Sequence, residues 1–371
     1  MKIGIDASML AKTKVGIGHY VTALLNAMPA LKPDLEFIVY TNTPVNDIPV
    51  KDNLTCCVIS CPSRPYWTQK LLPKALEKDS VDLFWGGNYA IPVRKGNYKK
   101  VITVHDFVYR RFPETLPLRT VLHLRTSIPL YLRSTDHVIA DSENTARDLW
   151  KYYRYSQAKT TVVPLAARSI FTENIESNLM DLILHKHGLD KEYLLFVGTV
   201  EPRKGIDTVV KALARLKAKN GGCPGLVVVG QIGWKADKIL NLVTELNLGD
   251  SVCFLNYVED EDLPALYKGA AVLVYPSLYE GFGLPVVEAM AVGTPVITSS
   301  SSSLPEVGGD AVLYINAGDD ASLVEALEKV LGSVDLQQEM RKKGLLQAKR
   351  FSWGRTAWET LKVFMRVLGE K

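Results

Sequence analysis

No stretch of the sequence reaches the roughly 18 to 20 unbroken apolar residues that a membrane-spanning helix needs, which predicts a soluble protein. The opening Met1 to Asp6 alternates like a strand and lacks the long apolar core and cleavage site of a secretory signal, so a cytoplasmic location is expected. Cysteine is scarce as well. The five present are odd in number, Cys56 and Cys57 are adjacent, and no spacing repeats, which excludes a disulfide scaffold. Cys57 and Cys61 have no nearby histidine or further cysteine to complete a metal site, and all five are expected as reduced, mostly buried thiols. Charge of one sign is also missing overall, at +4 net, but the halves differ. Residues 1–168 hold 23 Lys and Arg against 14 Asp and Glu, and residues 169–371 hold 21 against 26. A basic first half suggests an anionic partner or an anionic membrane face, or simply an uneven solvated surface. Nucleic acid is not expected.

What the sequence has in quantity is alternation. Its 371 residues exceed one typical core, and short apolar runs alternate with amphipathic stretches, the pattern of parallel sheets wrapped by helices. The first series of strands is expected at Lys2–Asp6, Glu36–Thr41, Leu54–Ile59, Val81–Trp85, Val101–His105 and His137–Ala140. The second is expected at Tyr193–Gly198, Leu226–Gly230, Val252–Leu255, Val272–Tyr275, Pro295–Thr298 and Val312–Ile315. The fold class is therefore α/β, with two Rossmann-like β/α/β lobes: residues 1–170, residues 171–351, and a terminal helix over 352–371 packing back on the first lobe. The lobe boundary is placed within Ala167–Ser177. Two such lobes imply a ligand cleft.

The most informative segment runs from Tyr275 through Pro-Ser-Leu-Tyr-Glu280-Gly-Phe-Gly-Leu-Pro-Val-Val-Glu288 to Ile297. A strand ends at Tyr275, a glycine-bearing loop follows, and Pro285 suits the first turn of a helix. Backbone N–H groups at Gly283 and Leu284 then suit an anion such as a diphosphate. Glu280 and Glu288 would repel phosphates, so they are read as holding hydroxyls, which a nucleotide sugar carries at both ends. A second segment, Val197-Gly198-Thr-Val-Glu-Pro-Arg203-Lys204-Gly205, places two cations where a helix opens. Aimed at a diphosphate leaving group, they would stabilise the charge that grows as a glycosidic bond breaks, with no divalent metal or other cofactor required. The plainer reading is a basic surface loop.

These segments resemble the retaining glycosyltransferases of family 4, with the GT-B fold, and the resemblance covers nearly the whole chain. It implies two lobes facing across a donor-binding cleft. Glu280 would hold donor-sugar hydroxyls with the Gly281, Phe282 and Gly283 backbone, Glu288 the ribose, and Arg203 with Lys204 the diphosphate. Gly16 and Gly18, in Val15-Gly-Ile-Gly-His-Tyr20, match the family's flexible glycine loop; His105 and Asp106 match its His-Asp pair beside the reacting carbon. Asp141 and Ser142 match the motif after a later strand, and Tyr257 and Val258 the stretch that cradles the nucleobase. Each first-lobe match also has a structural reading: a turn, a buried histidine, a helix cap.

The family likeness implies transfer with retention: the acceptor hydroxyl attacks from the leaving group's side and the departing phosphate oxygen takes its proton. The forms Gly4-Ile-Asp-Ala-Ser8 and Gly198-Thr-Val-Glu-Pro-Arg-Lys204 look most like bacterial mannosyltransferases of surface-polysaccharide synthesis, which favours GDP-mannose over UDP-glucose or UDP-N-acetylglucosamine. The acceptor would be a glycan or lipid-linked. Asp260-Glu-Asp262 resembles a metal-binding acidic motif but is read as the acidic start of a helix. Phe107–Arg133, with Arg110, Arg111, Arg119, Arg125 and Arg133 against Glu114 alone, could lie on the inner face of the cytoplasmic membrane, its prolines Pro113, Pro117 and Pro129 interrupting any long helix. Competing readings are a sugar-nucleotide epimerase, a non-catalytic sugar-nucleotide sensor and an NAD-dependent oxidoreductase; the last is disfavoured because Gly16 and Gly18 lie about ten residues past the first strand without a third glycine.

Overall fold

Runs of Val, Ile, Leu and Phe without polar interruption suit strands covered on both faces, and they form two all-parallel sheets in the computed structural model. It describes every residue except 12–15, 47, 174, 190–191, 221–222 and 371, so Val15 of the glycine motif lies outside the described residues. The first sheet comprises β1 (Lys2–Asp6), β2 (Glu36–Thr41), β3 (Leu54–Val58), β4 (Leu83–Gly86), β5 (Lys99–Val104), β6 (His137–Ala140) and β7 (Thr160–Val162), ordered β3-β2-β1-β4-β5-β6-β7. The second comprises β8 (Tyr193–Val197), β9 (Gly225–Val229), β10 (Val252–Asn256), β11 (Val272–Tyr275), β12 (Val296–Ser299) and β13 (Leu313–Ile315), ordered β10-β9-β8-β11-β12-β13. Strand order reverses at β1/β4 and at β8/β11, and the carboxyl edge at such a reversal is where open α/β sheets take ligands. His105 follows β5, and Gly198 and Pro276 follow β8 and β11 at that edge.

The chain divides into one unit of Met1–Arg110, Arg119–Leu165 and Phe351–Lys371 and another of Arg111–Leu118 and Ala166–Arg350. The division falls at Leu165/Ala166, ahead of the expected 167–177 window. Residues 111–118, expected in the first lobe, belong to the second unit: the Arg111 guanidinium lies 5.7 Å from the Tyr279 ring centroid, Phe112 lies 6.0 Å from the same ring, and Lys235 donates to the Glu114 carbonyl. In the first unit, the terminal helix Trp353–Leu368 packs on the helix Gly16–Leu31, burying Phe364 against Trp85 at 6.0 Å between ring centroids. Thr356 adds a hydrogen bond to the Pro164 carbonyl.

Four local expectations are corrected. Gly16 and Gly18 sit in the first turn of Gly16–Leu31 rather than in a loop, and neither has positive φ. Pro129 lies inside the helix Leu118–Ser134 without ending it; its missing N–H forfeits one helical bond, and the buried Ile128 and Leu132 hold the turn against the unit's core. β7 was not anticipated. None of the five cysteines is buried: all are free thiols, with Cys56 and Cys253 exposed and the others half-buried.

Candidate active site

The second unit gathers a carboxylate and two cations where the two sequence segments meet. Gly205 has φ +72°, and a Cβ there would lie 2.4 Å from the Pro276 carbonyl oxygen, so only glycine lets the 203–205 turn approach the loop after β11. Backbone bonds then lock the two together, the Leu278 N–H donating to the Arg203 carbonyl at 2.9 Å. The result is a buried cluster around Glu280. Its Oε1 receives Ser277 Oγ at 2.6 Å, Lys204 Nζ at 2.7 Å, Tyr275 OH at 2.9 Å and Arg203 Nη1 at 3.3 Å. Glu280 Oε2 accepts from none of the described residues.

Burial works against the charge on Glu280, but Lys204 and Arg203 outweigh it and hold the carboxyl down at about 2. Burial also pulls Lys204 below the usual lysine value, and the neighbouring Arg203 charge adds to that, with Glu280 opposing both. The ammonium has three N–H donors; one goes to Glu280 and one to Tyr275 OH at 2.7 Å, which leaves the third open. Arg203 is further fixed by Glu201 and the Tyr279 carbonyl, each at 2.5 Å.

Beyond Glu280 the loop enters the helix Leu284–Ala291 through Gly283, at φ +116°. A Cβ there would meet Leu304 at 2.9 Å. Ser303 Oγ clasps the loop by donating to the Glu280 and Phe282 carbonyls, and Ser302 Oγ accepts from the Glu280 N–H. The Gly283 and Leu284 N–H groups have no partner among the described residues, Pro285 has none to offer, and the next N–H groups bond back to Gly283, so the helix start presents two aligned donors.

Glu288 stands one turn into that helix and is buried, its Oε1 accepting from Arg168 Nε at 2.7 Å and its Oε2 from Tyr267 OH at 3.2 Å. Burial pushes its carboxyl above the ordinary value despite Arg168. Arg168 also reaches Asp260 at 2.6 Å. Asp262, at the start of the helix Leu263–Gly269, makes no cap bond and instead pairs with Lys186 and His187. The acids of that motif therefore serve ion pairs more than the helix start. Gly198 ends β8 at φ +147°. Tyr257 is exposed and Val258 buried just past β10. Among the described residues no group of three or more His, Cys, Asp or Glu side chains is placed to hold a metal ion.

The first unit has its own buried pair. His105, at the end of β5, puts Nδ1 2.6 Å from Asp141 Oδ2 and Nε2 2.9 Å from the Gly87 carbonyl. Both partners are acceptors, so the ring donates on both sides when Asp141 is ionised, and burial, which opposes the charge, is outweighed by Asp141, moving the imidazole upward. Burial raises Asp141 as well. Asp106 accepts the Val108 N–H at 3.0 Å and starts a short helical turn. Ser142 caps Glu143–Tyr153 by accepting the Thr145 N–H at 3.1 Å.

The structure thus brings Arg203, Lys204, Glu280 and Gly283 into one cluster and His105 with Asp141 into another. The sequence reading missed Arg168, Tyr267, Ser277 and the Ser302–Ser303 clasp. The run of five serines over 299–303 was a signal for the last of these; an isolated arginine gives none.

Comparison with known proteins follows the same division. Residues 183–347 match the family Glycosyl transferases group 1, and residues 15–167 match Glycosyltransferase Family 4. An Escherichia coli O-antigen chain mannosyltransferase B is 32% identical over 283 residues, covering 76% of this chain and 74% of that protein. A sucrose-phosphate synthase from Thermosynechococcus elongatus superposes with a TM-score of 0.79 at 21% identity, covering 99% of both chains. Anabaena HepE in complex with UDP-glucose gives 0.73 at 18% identity, covering 98% of this chain and 99% of that one. The two parallel-sheet units are those of the GT-B fold, and the chain belongs to glycosyltransferase family 4, with the group 1 transferase domain as its second half.

Proposed function

We propose that the protein moves a hexose, with GDP-mannose as the favoured donor, to a glycan or lipid-linked acceptor in surface-polysaccharide or lipopolysaccharide synthesis, with retention at the anomeric carbon and without a metal ion. The observation that carries this reading is the saturation of one Glu280 oxygen by four donors while the other stays open beside two unpaired helix-start N–H groups. A fixed acceptor and fixed donors at one place suit a ligand that presents both hydroxyls and phosphate oxygens. Mannose is favoured by the O-antigen mannosyltransferase relatives; UDP-glucose is the second reading, favoured by the HepE complex.

In this mechanism Glu280 Oε2 orients donor-sugar hydroxyls, and Gly281 and Phe282 lend their backbone to the same grip. Gly283, Leu284, the third Lys204 N–H and Arg203 receive the diphosphate, so negative charge growing on the leaving oxygen meets donors already in position. The bond from the anomeric carbon to that oxygen breaks, a bond to the acceptor oxygen forms on the same face, and the acceptor proton passes to the departing phosphate. His105 fits this scheme as an orienting group, because both of its ring nitrogens are engaged and neither is free as a base. Ser142 and Gly198, with Tyr257 and Val258, are assigned to donor binding, and Glu288 to the ribose once its Arg168 contact yields.

No helix among the described residues is long and apolar enough to cross a membrane. The helix Leu118–Ser134 exposes Leu118, Leu122 and Leu130 beside its arginines, and this face is assigned to peripheral contact with an anionic bilayer. The deciding experiment is a thermal-shift panel of GDP-mannose, UDP-glucose, UDP-N-acetylglucosamine and the nicotinamide cofactors, with and without chelator, followed by NMR of the product's anomeric configuration. Stabilisation by GDP-mannose that survives chelation, with an α-linked product, is expected. A response confined to nicotinamide cofactors, or inversion, overturns the reading.

A further inference from the structure

At the opposite, amino edge of the first sheet a separate pocket of about 530 Å³ lies between the loop 93–100 and the end of the helix Leu118–Ser134. Its wall carries five cations, Lys95, Lys99, Lys100, Arg133 and Lys159, against two acids, Asp82 and Asp136. The acids are already engaged. Asp82 accepts the Lys2 N–H at 2.8 Å, and Asp136 accepts the Lys100 N–H at 2.9 Å and faces Lys99 at 3.4 Å. Lys100 itself is buried, with Nζ bound to the Pro92 and Arg94 carbonyls. The side chains of Lys95, Arg133 and Lys159 have no ion-pair or hydrogen-bond partner among the described residues.

A second observation points the same way. Tyr98 lines the pocket and is 94% buried (6% exposed), yet its hydroxyl has no hydrogen-bond partner. Leaving a buried hydroxyl unpaired forfeits the hydrogen bond it would make in water, which a bound acceptor would restore. Gly96 stands over the ring, where a Cβ would fall 2.4 Å from Tyr98 Cε1, so glycine lets the loop close down on Tyr98 and hold it in place. The excess positive charge is felt nearby: buried His137 is held down at about 4 by burial, Arg366 and Lys159.

The uncommitted charged side chains here are all cations, and the five cations of the wall outnumber its two acids. We infer that this pocket binds a phosphate group, with Lys95, Arg133 and Lys159 neutralising it and the Tyr98 hydroxyl donating to one of its oxygens. The proposal is independent of the donor-site reading, since the pocket belongs to the first unit, at the amino edge of its sheet, and uses none of the residues of the Glu280 cluster. Its phosphate could be a soluble ester or the headgroup of an anionic lipid.

The test has two arms on the full chain. Titration calorimetry with inorganic phosphate and pyrophosphate at matched ionic strength reads the soluble source, and co-sedimentation with phosphatidylglycerol vesicles against phosphatidylcholine vesicles reads the headgroup. Wild type is expected to bind in at least one arm. Lys95→Gln/Arg133→Gln/Lys159→Gln should weaken that binding at least tenfold, and Tyr98→Phe two- to fivefold, with melting temperatures showing that both variants stay folded. Binding only in the calorimeter assigns a soluble phosphate; binding only to the vesicles assigns a headgroup. Wild type inert in both arms, or a triple variant that binds as wild type does, overturns the proposal, the second result placing phosphate elsewhere in the molecule.

Discussion

The two buried polar centres of this enzyme are built on opposite terms. In the first unit, His105 spends one ring nitrogen on Asp141 and the other on the Gly87 carbonyl, so the imidazole keeps no nitrogen in reserve, and the buried Asp141 Oδ1 is the one atom of the pair without a hydrogen bond. In the second, four donors crowd one oxygen of Glu280 and leave its twin, one Lys204 N–H and two helix-start N–H groups uncommitted. A fully engaged imidazole fixes geometry; a centre with spare donors as well as a spare acceptor awaits a ligand. The difference supports the proposed mechanism, in which binding and charge stabilisation fall to the second unit and orientation to the first.

The sharpest way to break that assignment is Glu280→Gln. Removing one partner of a buried pair strands the other charges, and a loss of about 3–5 kcal/mol is expected from urea unfolding of the second unit, together with loss of transfer. A variant as stable as wild type would show that the cations do not depend on this carboxylate. Next comes Lys204→Ala, for which turnover should fall roughly 10²- to 10³-fold in a radiolabel transfer assay, the range for removing one preorganised transition-state donor. Arg203→Ala should act in the same direction, and unaltered turnover in both would move the chemistry out of the second unit.

Acid and base separate the two centres in a single molecule. Glu280 has a folded value of about 2 against an ordinary 4.5, so its contribution is full above about 4.5 and is lost as pH falls toward 2. His105 is shifted upward from 6.5, so its contribution is full below that value and is lost as pH rises through the folded one. Hydrogen exchange read unit by unit should show the second unit loosening in acid and the surroundings of His105 loosening on the alkaline side. Asp141→Asn sharpens the same contrast: without its carboxylate the His105 titration should move down, as read by side-chain NMR. The smallest effect is reserved for Ser142→Ala, where loss of the cap on Glu143–Tyr153 should cost about 1 kcal/mol in thermal unfolding.

Much of this was legible because parallel strands are written as short apolar runs: β2, β6 and β11 have the limits that their residues suggest, as does β1, which the alternation of its residues marks. β7 escaped because Thr160–Val162 is three residues long and only half-buried, with no apolar run to mark it. The donor cluster was legible for a local reason. Glycines at 205 and 283 and a proline at 285 mark backbone that must turn or begin a helix at those positions, and the charged residues beside them follow. What could not be read was pairing across the chain. Nothing near Arg168 announces Glu288, 120 residues away, and nothing in 111–118 says that Arg111 will lie over Tyr279. The glycines at 16 and 18 misled because the same residue type serves a loop or a first helical turn, exposed at Gly16 and buried at Gly18, and only the neighbours decide.

The return of the last helix to the first sheet has a consequence for how the protein is made. Trp85 and Phe364 share one apolar interior, and Trp353 packs its ring near that of Tyr20, so the portion translated first lacks its final wall until residues 353–368 have emerged. The portion translated second can complete its interior earlier, from residues already emerged. Birth order and maturation order are therefore reversed, and a premature stop before Trp353 should leave the older half, rather than the newer, as the target of chaperones and proteases.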